Sequence, residues 1–166
     1  MIVWRPAQLE DVPMMVAFTS KHYLHELDGV LTINLDKLCV NIAHAVLNRN
    51  FNAGTELIQL AEENNRLIGW CWIGRGAGTD YIDEECAEAH ILHIDLTLPA
   101  RTRVRMINQC LSAWEQWCRT LNIPVLVSTT VRQDWQPFME LHRRRGYEVR
   151  GSHAFKKIER NSNASN

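Results

Sequence analysis

The stretch over residues 96–147 constrains the fold of this chain more than any other part of its sequence. An apolar run that ends in Leu98 and Pro99 is followed by a long segment, from about residue 102 to 121, in which apolar residues recur every three or four positions, as on one face of a helix. The residues of that face are Val104, Ile107, Cys110, Leu111, Trp114, Trp117, Cys118 and Leu121. A second apolar run over residues 124–129 and a short helix that Gly146 ends complete the stretch. Strands and helices in this order predict a mixed α/β domain.

The rest of the sequence extends this order toward both ends. Apolar and alternating runs predict strands over residues 1–5, 56–61, 67–73 and 89–98, and two short strands within residues 147–158. Acidic residues before Pro13 start a first helix, and a shared apolar face predicts a second one over residues 35–47. Residues 74–88 combine glycines and acidic residues without periodicity, which predicts a loop. We expect one domain over residues 1–158, followed by a disordered polar tail over residues 159–166.

Composition narrows the classes of partner and compartment. The chain has 166 residues, of which 46% are apolar, and its net charge of -1 gives no long-range field that would recruit nucleic acid. No apolar run approaches the roughly 20 residues that span a bilayer, so no membrane contact is expected. The five cysteines lack a Cys-x-x-Cys pair and lie mostly in apolar segments, which is typical of buried thiols in a reducing compartment. We therefore expect a cytoplasmic protein, and the sequence predicts no metal site.

Two short motifs carry a resemblance to a known family. Residues 99–106 are PARTRVRM, at the start of the long helix, and residues 141–147 are LHRRRGY, at the end of the short one. Their order resembles the cofactor half of the GNAT (GCN5-related N-acetyltransferase) family, which has Arg-Gly-x-Gly-x-Gly at a helix start and Leu-Tyr-x-x-x-Gly-Phe further on. The resemblance implies a GNAT-like α/β (α+β) fold, a mixed and mostly antiparallel sheet flanked by helices.

The same resemblance implies that acetyl-CoA lies where two neighbouring strands splay, with its pyrophosphate at the start of the long helix. A helix N-terminus offers unpaired N–H groups and positive dipole there. The cofactor-binding residues that it implies are Leu96, Leu98, Arg101, Thr102, Arg103, Val104, Arg105 and Trp135. Thr102, Val104 and Met106 stand where the family has glycine or a small residue, and Trp135 stands where it has asparagine. The arginines either replace the missing backbone contacts through guanidinium forks or form a solvated helix end.

The resemblance also implies catalytic residues. His142 occupies the position of a tyrosine that protonates the departing thiolate, and histidine can serve as a general acid near neutral pH. An amine acceptor must lose a proton before it attacks, so a base is needed as well. Strand alternation places His93 and Asp95 on one face, with Glu88 at its start and His90 on the other face. Glu88 or Asp95 is the expected base, and for each residue a structural role is the alternative.

Two functions follow from these observations. The first is an acetyl-CoA-dependent N-acetyltransferase, in which a small-molecule or protein amine attacks the thioester directly. The second is a catalytically silent GNAT-like protein that binds an assembly partner, because the departures from the family motif look similar to those of internal virion proteins of T7-like phages, which would place the chain in a virion. For this second function, we expect Arg143, Arg144 and Arg145 to lie on the same edge as the Arg101 to Arg105 turn and to meet an acidic partner.

Overall fold

The computed structural model describes residues 1–27, 32–77, 83–132 and 135–158. The strands are β1 (Val3–Pro6), β2 (Glu56–Glu63), β3 (Arg66–Ala77), β4 (Cys86–Ile94), β5 (Val125–Thr129), β6 (Glu148–Arg150) and β7 (His153–Lys157). The helices are α1 (Val12–Leu27), α2 (Leu35–Phe51), α3 (Ala100–Leu121) and α4 (Trp135–Arg144), with a 3-10 turn at Leu9–Asp11 before α1. The mixed α/β fold predicted from the sequence is confirmed.

Within the described residues the strands form one sheet in the order β1-β2-β3-β4-β5-β7-β6. Strands β4 and β5 run parallel, and the other described pairs are antiparallel. Helix α3 connects the two parallel strands, as a crossover between parallel neighbours requires. The starts of α3 and α4 therefore follow the carboxyl ends of neighbouring parallel strands and lie at the same edge of the sheet.

Helices cover both faces of the sheet. On one face, Met15 of α1 and Ile42 and Val46 of α2 pack on Ile58 and Trp70 of the sheet. On the other face, α3 and α4 pack on β3, β4 and β5, and the buried residues there are Cys71, Ile73, Ala87, Ala89, Cys110, Leu111, Trp114, Cys118, Leu126 and Met139. The apolar face predicted for α3 is thus the face that it buries. Each helix gains most of its stability from such tertiary packing.

Local sequence explains where the elements begin and end. Asn64 and Asn65 have φ values of 54° and 59°, which suit the tight turn of the β2–β3 hairpin. The side chain of Asn34 accepts a hydrogen bond from the backbone N–H of Lys37 at 2.9 Å and so caps α2. After α4, Gly146 has a φ of 81°, a conformation that glycine adopts without a steric penalty.

Two sequence-based boundaries are wrong. Both ends of the loop predicted over residues 74–88 are strand, because β3 continues to Ala77 and β4 begins at Cys86; residues 78–82 lie outside the described residues. The strand predicted to reach Leu98 ends at Ile94, since Asp95 begins a turn. The predicted tail, residues 159–166, lies outside the described residues, so the division into one domain and a tail stays a prediction. No helix in the described ranges is both long and apolar enough to cross a membrane.

Candidate functional site at the β4–β5 opening

The sheet opens between its two parallel strands. Strand β5 pairs with β4 over Cys86, Ala87 and Glu88 alone, opposite Val125, Leu126 and Val127. Beyond Glu88, β4 runs on through residues 89–94 paired with β3 on one side, while β5 stays paired with β7. Backbone N–H and C=O groups on the β5 side of residues 89–94 are therefore left without a ladder partner. This opening, called the β4–β5 opening below, is the splay that the resemblance implied.

A bulge in β4 lies beside this opening. Trp72 of β3 is opposite Ile91, whereas the next residue, Ile73, is opposite Ala89, so His90 is an extra residue in β4. The His90 ring contacts Trp72, with ring centroids 4.6 Å apart, and the His93 ring lies 5.6 Å from Trp70. Because Trp70 and Trp72 share a sheet face, His90 and His93 share it too. The prediction that His90 faces the other way is wrong, since strict alternation fails at a bulge.

Two carboxylates flank a glycine on that same face. Glu56 of β2, Gly74 of β3 and Glu88 of β4 are opposite one another across three strands. A Cβ on Gly74 would lie 2.6 Å from Nε2 of His90 and 2.9 Å from Oε2 of Glu56, so the His90 ring fills the space above the glycine. The Trp72 indole N–H donates to Oε2 of Glu56 at 2.7 Å. Sequence reasoning missed Glu56 and Gly74 because the row forms only when β2, β3 and β4 are brought into register.

Asp95 has a structural role in place of the catalytic one expected for it. Its side chain is 1% exposed, pairs with Arg66, and accepts hydrogen bonds from the N–H and hydroxyl of Thr97 at 2.9 and 2.7 Å. Burial would raise the pKa of Asp95, but the bonds from Thr97 and the charge of Arg66 outweigh it and lower the pKa. A carboxylate bound in this way is a poor proton acceptor, so Asp95 is not retained as the base.

The predicted phosphate residues lie at the start of α3, one turn beyond β4. Leu96 and Leu98 belong to the turn that Asp95 starts, where the N–H of Leu98 bonds to the Asp95 carbonyl at 3.2 Å. Arg101 and Arg105 are exposed, and Thr102 is half-buried. Among the described non-glycine residues, positive φ values occur at Asn64, Asn65 and Asn122 and nowhere between β4 and α3. The backbone of this turn therefore adopts no conformation that requires glycine.

Near the start of α3, Met106 is buried and Arg103 is half-buried. Met106 is fully buried against Ala61, Ile68 and Ile94, so it holds α3 on the sheet. Arg103 is half-buried, and its Nε atom has no hydrogen-bond partner among the described residues. Val104 is 41% exposed, so its side chain extends toward solvent. Of the three arginines at the start of α3, Arg103 is therefore the one that has a buried guanidinium nitrogen without a hydrogen-bond partner among the described residues.

His142 lies at the level where β4 and β5 separate, but inside the protein. It is fully buried, and its Nδ1 lies 2.9 Å from the carbonyl oxygen of Phe138. A carbonyl only accepts, so Nδ1 carries the proton and Nε2 accepts from the Ser128 hydroxyl at 2.9 Å. Burial lowers the pKa of His142, which keeps the ring neutral. The single ring proton is bound to the Phe138 carbonyl and the ring is fully buried, so we do not assign the general-acid role to His142.

Neighbouring residues of α4 are also structural. Trp135, the first residue of α4, packs against the buried cluster under α3 and α4. Arg145 is 22% exposed and bonds to the buried Glu115 at 3.1 Å, and Lys156 bonds to the same carboxylate at 3.2 Å. Burial would raise the pKa of Glu115, but these two cations lower it.

The arginines predicted to form a docking edge have partners within the protein. Arg143 and Arg144 pair with Glu140 on their own helix. Arg145 bonds to Glu115, Ser112 and Asn108 of α3, and Asn108 lies about one helical turn beyond Arg105. Arg145 is therefore engaged with α3, and the six-arginine edge stays a prediction.

No group of three or more potential metal ligands comes together in the described part of the chain. Three features come together instead. They are the open edge of β4, the start of α3 with three arginines, and the row of Glu56, Gly74 and Glu88 with His90 over it. That row lies on the sheet face that α1 and α2 cover, which is called the α1–α2 face below.

Solved structures share this fold, although no protein-family model and no curated protein match the sequence. The PaiA N-acetyltransferase of Thermoplasma acidophilum, solved in complex with coenzyme A, has a TM-score of 0.68 at 15% identity, over 95% of this chain and 99% of that chain. A GNAT-family acetyltransferase from Streptococcus pneumoniae has a TM-score of 0.68 at 15% identity, over 96% and 100%. An N-acetyltransferase from Staphylococcus aureus Mu50 has a TM-score of 0.72 at 13% identity, over 96% and 99%. The chain therefore has the fold of the GNAT-family acetyltransferases.

Proposed function

We propose that this chain is an acetyl-CoA-dependent N-acetyltransferase that acts on an amine. The observation that carries the proposal is the β4–β5 opening, which leaves a strand edge unpaired directly before the helix start that holds three arginines. A similar fold in Thermoplasma acidophilum was solved with coenzyme A, which supports the assignment of the opening to this cofactor.

The residues of this chain fit coenzyme A in three respects. The unpaired edge at residues 89–94 offers backbone donors and acceptors for an amide-containing chain. The turn into α3 has no backbone conformation that requires glycine. The Nε atom of Arg103 lacks a partner and can bind phosphate oxygen, while Arg101 and Arg105 add positive charge. Arg101, Arg103, Arg105 and the backbone of residues 96–104 would thus hold the phosphates.

When bound, acetyl-CoA supplies a thioester carbonyl that an amine can attack. Of the two bases expected from the sequence, Glu88 lies half-buried on the α1–α2 face at the apex of the β4–β5 opening. Its carboxylate, together with Glu56 in the same row, favours the approach of a cationic amine to this face. His142 and Asp95 support the site through packing and through the turn after β4.

The silent assembly-protein alternative is not carried by any observation on the described residues. Its predicted docking edge needs a concentration of free arginines, yet Arg145 is paired with Glu115, and Arg143 and Arg144 are paired with Glu140.

Calorimetric titration with coenzyme A and an acetylation assay test the proposal together. We expect saturable binding and release of free thiol when acetyl-CoA is mixed with a panel of primary amines: spermidine, lysine, n-butylamine and an alanine-led peptide. Absence of binding at millimolar coenzyme A would contradict the proposal. Binding without acetylation of any amine in the panel would reject the transferase activity and leave a coenzyme A-binding protein.

A further inference from the structure

We propose that His90 removes the proton from the acceptor amine, with its ring placed for that task over Gly74 and against Trp72. This inference rests on the proposed function and deepens it, because it names the group that starts the transfer. The proposed base is neither Glu88 nor Asp95, the two expected from the sequence. It is His90, which the bulge in β4 turns toward the sheet face that α1 and α2 cover.

The position of His90 follows from the sheet. Glu56, Gly74 and Glu88 form a row across three strands, in which the two carboxylate-bearing positions are two strand spacings, or about 10 Å, apart. The glycine between them leaves a hollow, and Nε2 of His90 lies 2.6 Å from the position that a Cβ would take. The Trp72 ring packs against His90, and its indole N–H fixes Glu56. The imidazole therefore packs against the Trp72 ring and lies over Gly74, in the same hollow as Oε2 of Glu56.

This arrangement suits a base. An exposed histidine ring can take a proton from an ammonium group as a general base. Among the described strand residues in register with Gly74, the charged ones on this face are Glu56 on β2 and Glu88 on β4. Asp95, at the far end of β4, is bound to Arg66 and Thr97 and does not compete.

His90 also has access to substrate. It is exposed, whereas His93 on the same face is 7% exposed. It is the second residue of β4 beyond the last pair with β5, so it lies at the apex of the opening that the thioester would enter. No other histidine among the described residues combines exposure with a position on this face of β4.

In the proposed transfer, the ammonium group of the acceptor first gives one proton to Nε2 of His90. The nitrogen lone pair that this frees then forms the N–C bond to the thioester carbonyl carbon. The C–S bond breaks and its electron pair stays on sulfur. The second proton of that nitrogen passes to the thiolate, directly or through water, which gives the N-acetyl amine and the free thiol of coenzyme A. His90 then returns its proton to solvent.

Activity as a function of pH tests the assignment, with n-butylamine and the best acceptor of the panel as substrates. In His90→Gln we expect kcat to fall by about 10² to 10⁴ and the acidic limb of the pH profile to disappear, while coenzyme A affinity measured by calorimetry stays the same. In His90→Ala, added imidazole should restore part of the rate. His44→Gln, on the exposed side of α2, is the matched control and should behave like the wild type. If Glu88→Gln loses the acidic limb and His90→Gln keeps it, the proton goes to Glu88 and the proposal is wrong.

A binding measurement gives a second readout that does not depend on turnover. In NMR titrations without acetyl-CoA, n-butylammonium should shift the imidazole resonances of His90 more than tetramethylammonium, which has the same charge but no N–H to donate. Gly74→Ala should abolish the difference, because its Cβ displaces the ends of His90 and Glu56 without disturbing the backbone. Equal shifts for the two cations would overturn the proposal even if coenzyme A binds. Failure to bind coenzyme A, by contrast, would count against the proposed function itself.

Discussion

At the scale of single residues, His142 shows how a histidine chosen for chemistry can serve packing. Its edge contacts with Phe138 and Tyr147 and its bond to Ser128 require the neutral ring. Burial lowers its pKa from 6.5 in the folded state, so the unfolded chain binds more protons below about that pH. The free energy of unfolding should therefore fall as pH drops from 7.5 to 5.5, and more steeply in the wild type than in His142→Gln. Urea unfolding at both pH values measures the two slopes, and equal slopes would show that His142 does not contribute.

A second prediction at the scale of single residues concerns how much the ion pairs of Glu115 stabilise the protein. Its carboxylate is 5% exposed, and it pairs with Arg145 and Lys156, which are 22% and 20% exposed. Glu115→Gln leaves these two cations and the more exposed Arg119 without their anion, and should cost about 3 kcal/mol of unfolding free energy, the low end of the range for a broken buried ion pair. Glu140→Gln is the control, because its partners Arg143 and Arg144 are exposed and such pairs contribute at most about 1 kcal/mol. A similar cost for both variants, measured by denaturant unfolding, would contradict this account of the Glu115 cluster.

At the scale of elements, the start of α3 gives different surroundings to two arginines that look alike in the sequence. Arg103 is half-buried with an unpartnered Nε atom, whereas Arg105 is exposed. Arg103→Gln should therefore weaken coenzyme A binding by about 1.5 to 3 kcal/mol, the range for a hydrogen bond to a charged group. Arg105→Gln should have a smaller effect that high salt removes. Calorimetry on the two variants checks the order, and equal losses would place the phosphates elsewhere on α3.

Strand β4 shows where the sequence sufficed and where it did not. The apolar periodicity of α3 and the two flanking runs predicted the βαβ unit that carries the opening. The bulge at His90 left no mark in the apolar pattern, so alternation assigned His90 to the wrong face. At Asp95 the strand ends in a local turn, because the Asp95 side chain accepts from the N–H and hydroxyl of Thr97 two residues on, and the apolar run to Leu98 hid that signal. Long periodic segments are predictable from local pattern, whereas the bulge depends on how β4 pairs with β3.

At the scale of the whole molecule, the order of elements in the sequence was enough to predict the architecture, but it was not enough to predict the site. Residues from β2, β3 and β4 meet in the row of Glu56, Gly74 and Glu88, and sequence alone gives no register between these strands. The β4–β5 opening is also a property of the assembled sheet, because it depends on β5 following β7 after it leaves β4. The partner of Arg145 was missed for the same reason, since Glu115 on α3 reaches it only through folding.

If the opening binds coenzyme A, the whole domain should become more stable. At a ligand concentration one hundred times the Kd, the expected gain is about 2.7 kcal/mol, seen as a rise in Tm. The rise should be smaller in Arg103→Gln at the same concentration. An unchanged Tm at millimolar coenzyme A would mean that the folded state has no such site.

The most direct test of the central claim is the map of backbone amide shifts on titration with coenzyme A. The account predicts that the largest shifts fall on residues 89–94 of β4, on Ser128 just beyond the last pair with β4, and on the first turn of α3. Strand β1 and the exposed side of α2 should not respond. Shifts confined to those distant elements, or no shift at millimolar ligand, would contradict the claim that the gap between β4 and β5 is a cofactor site.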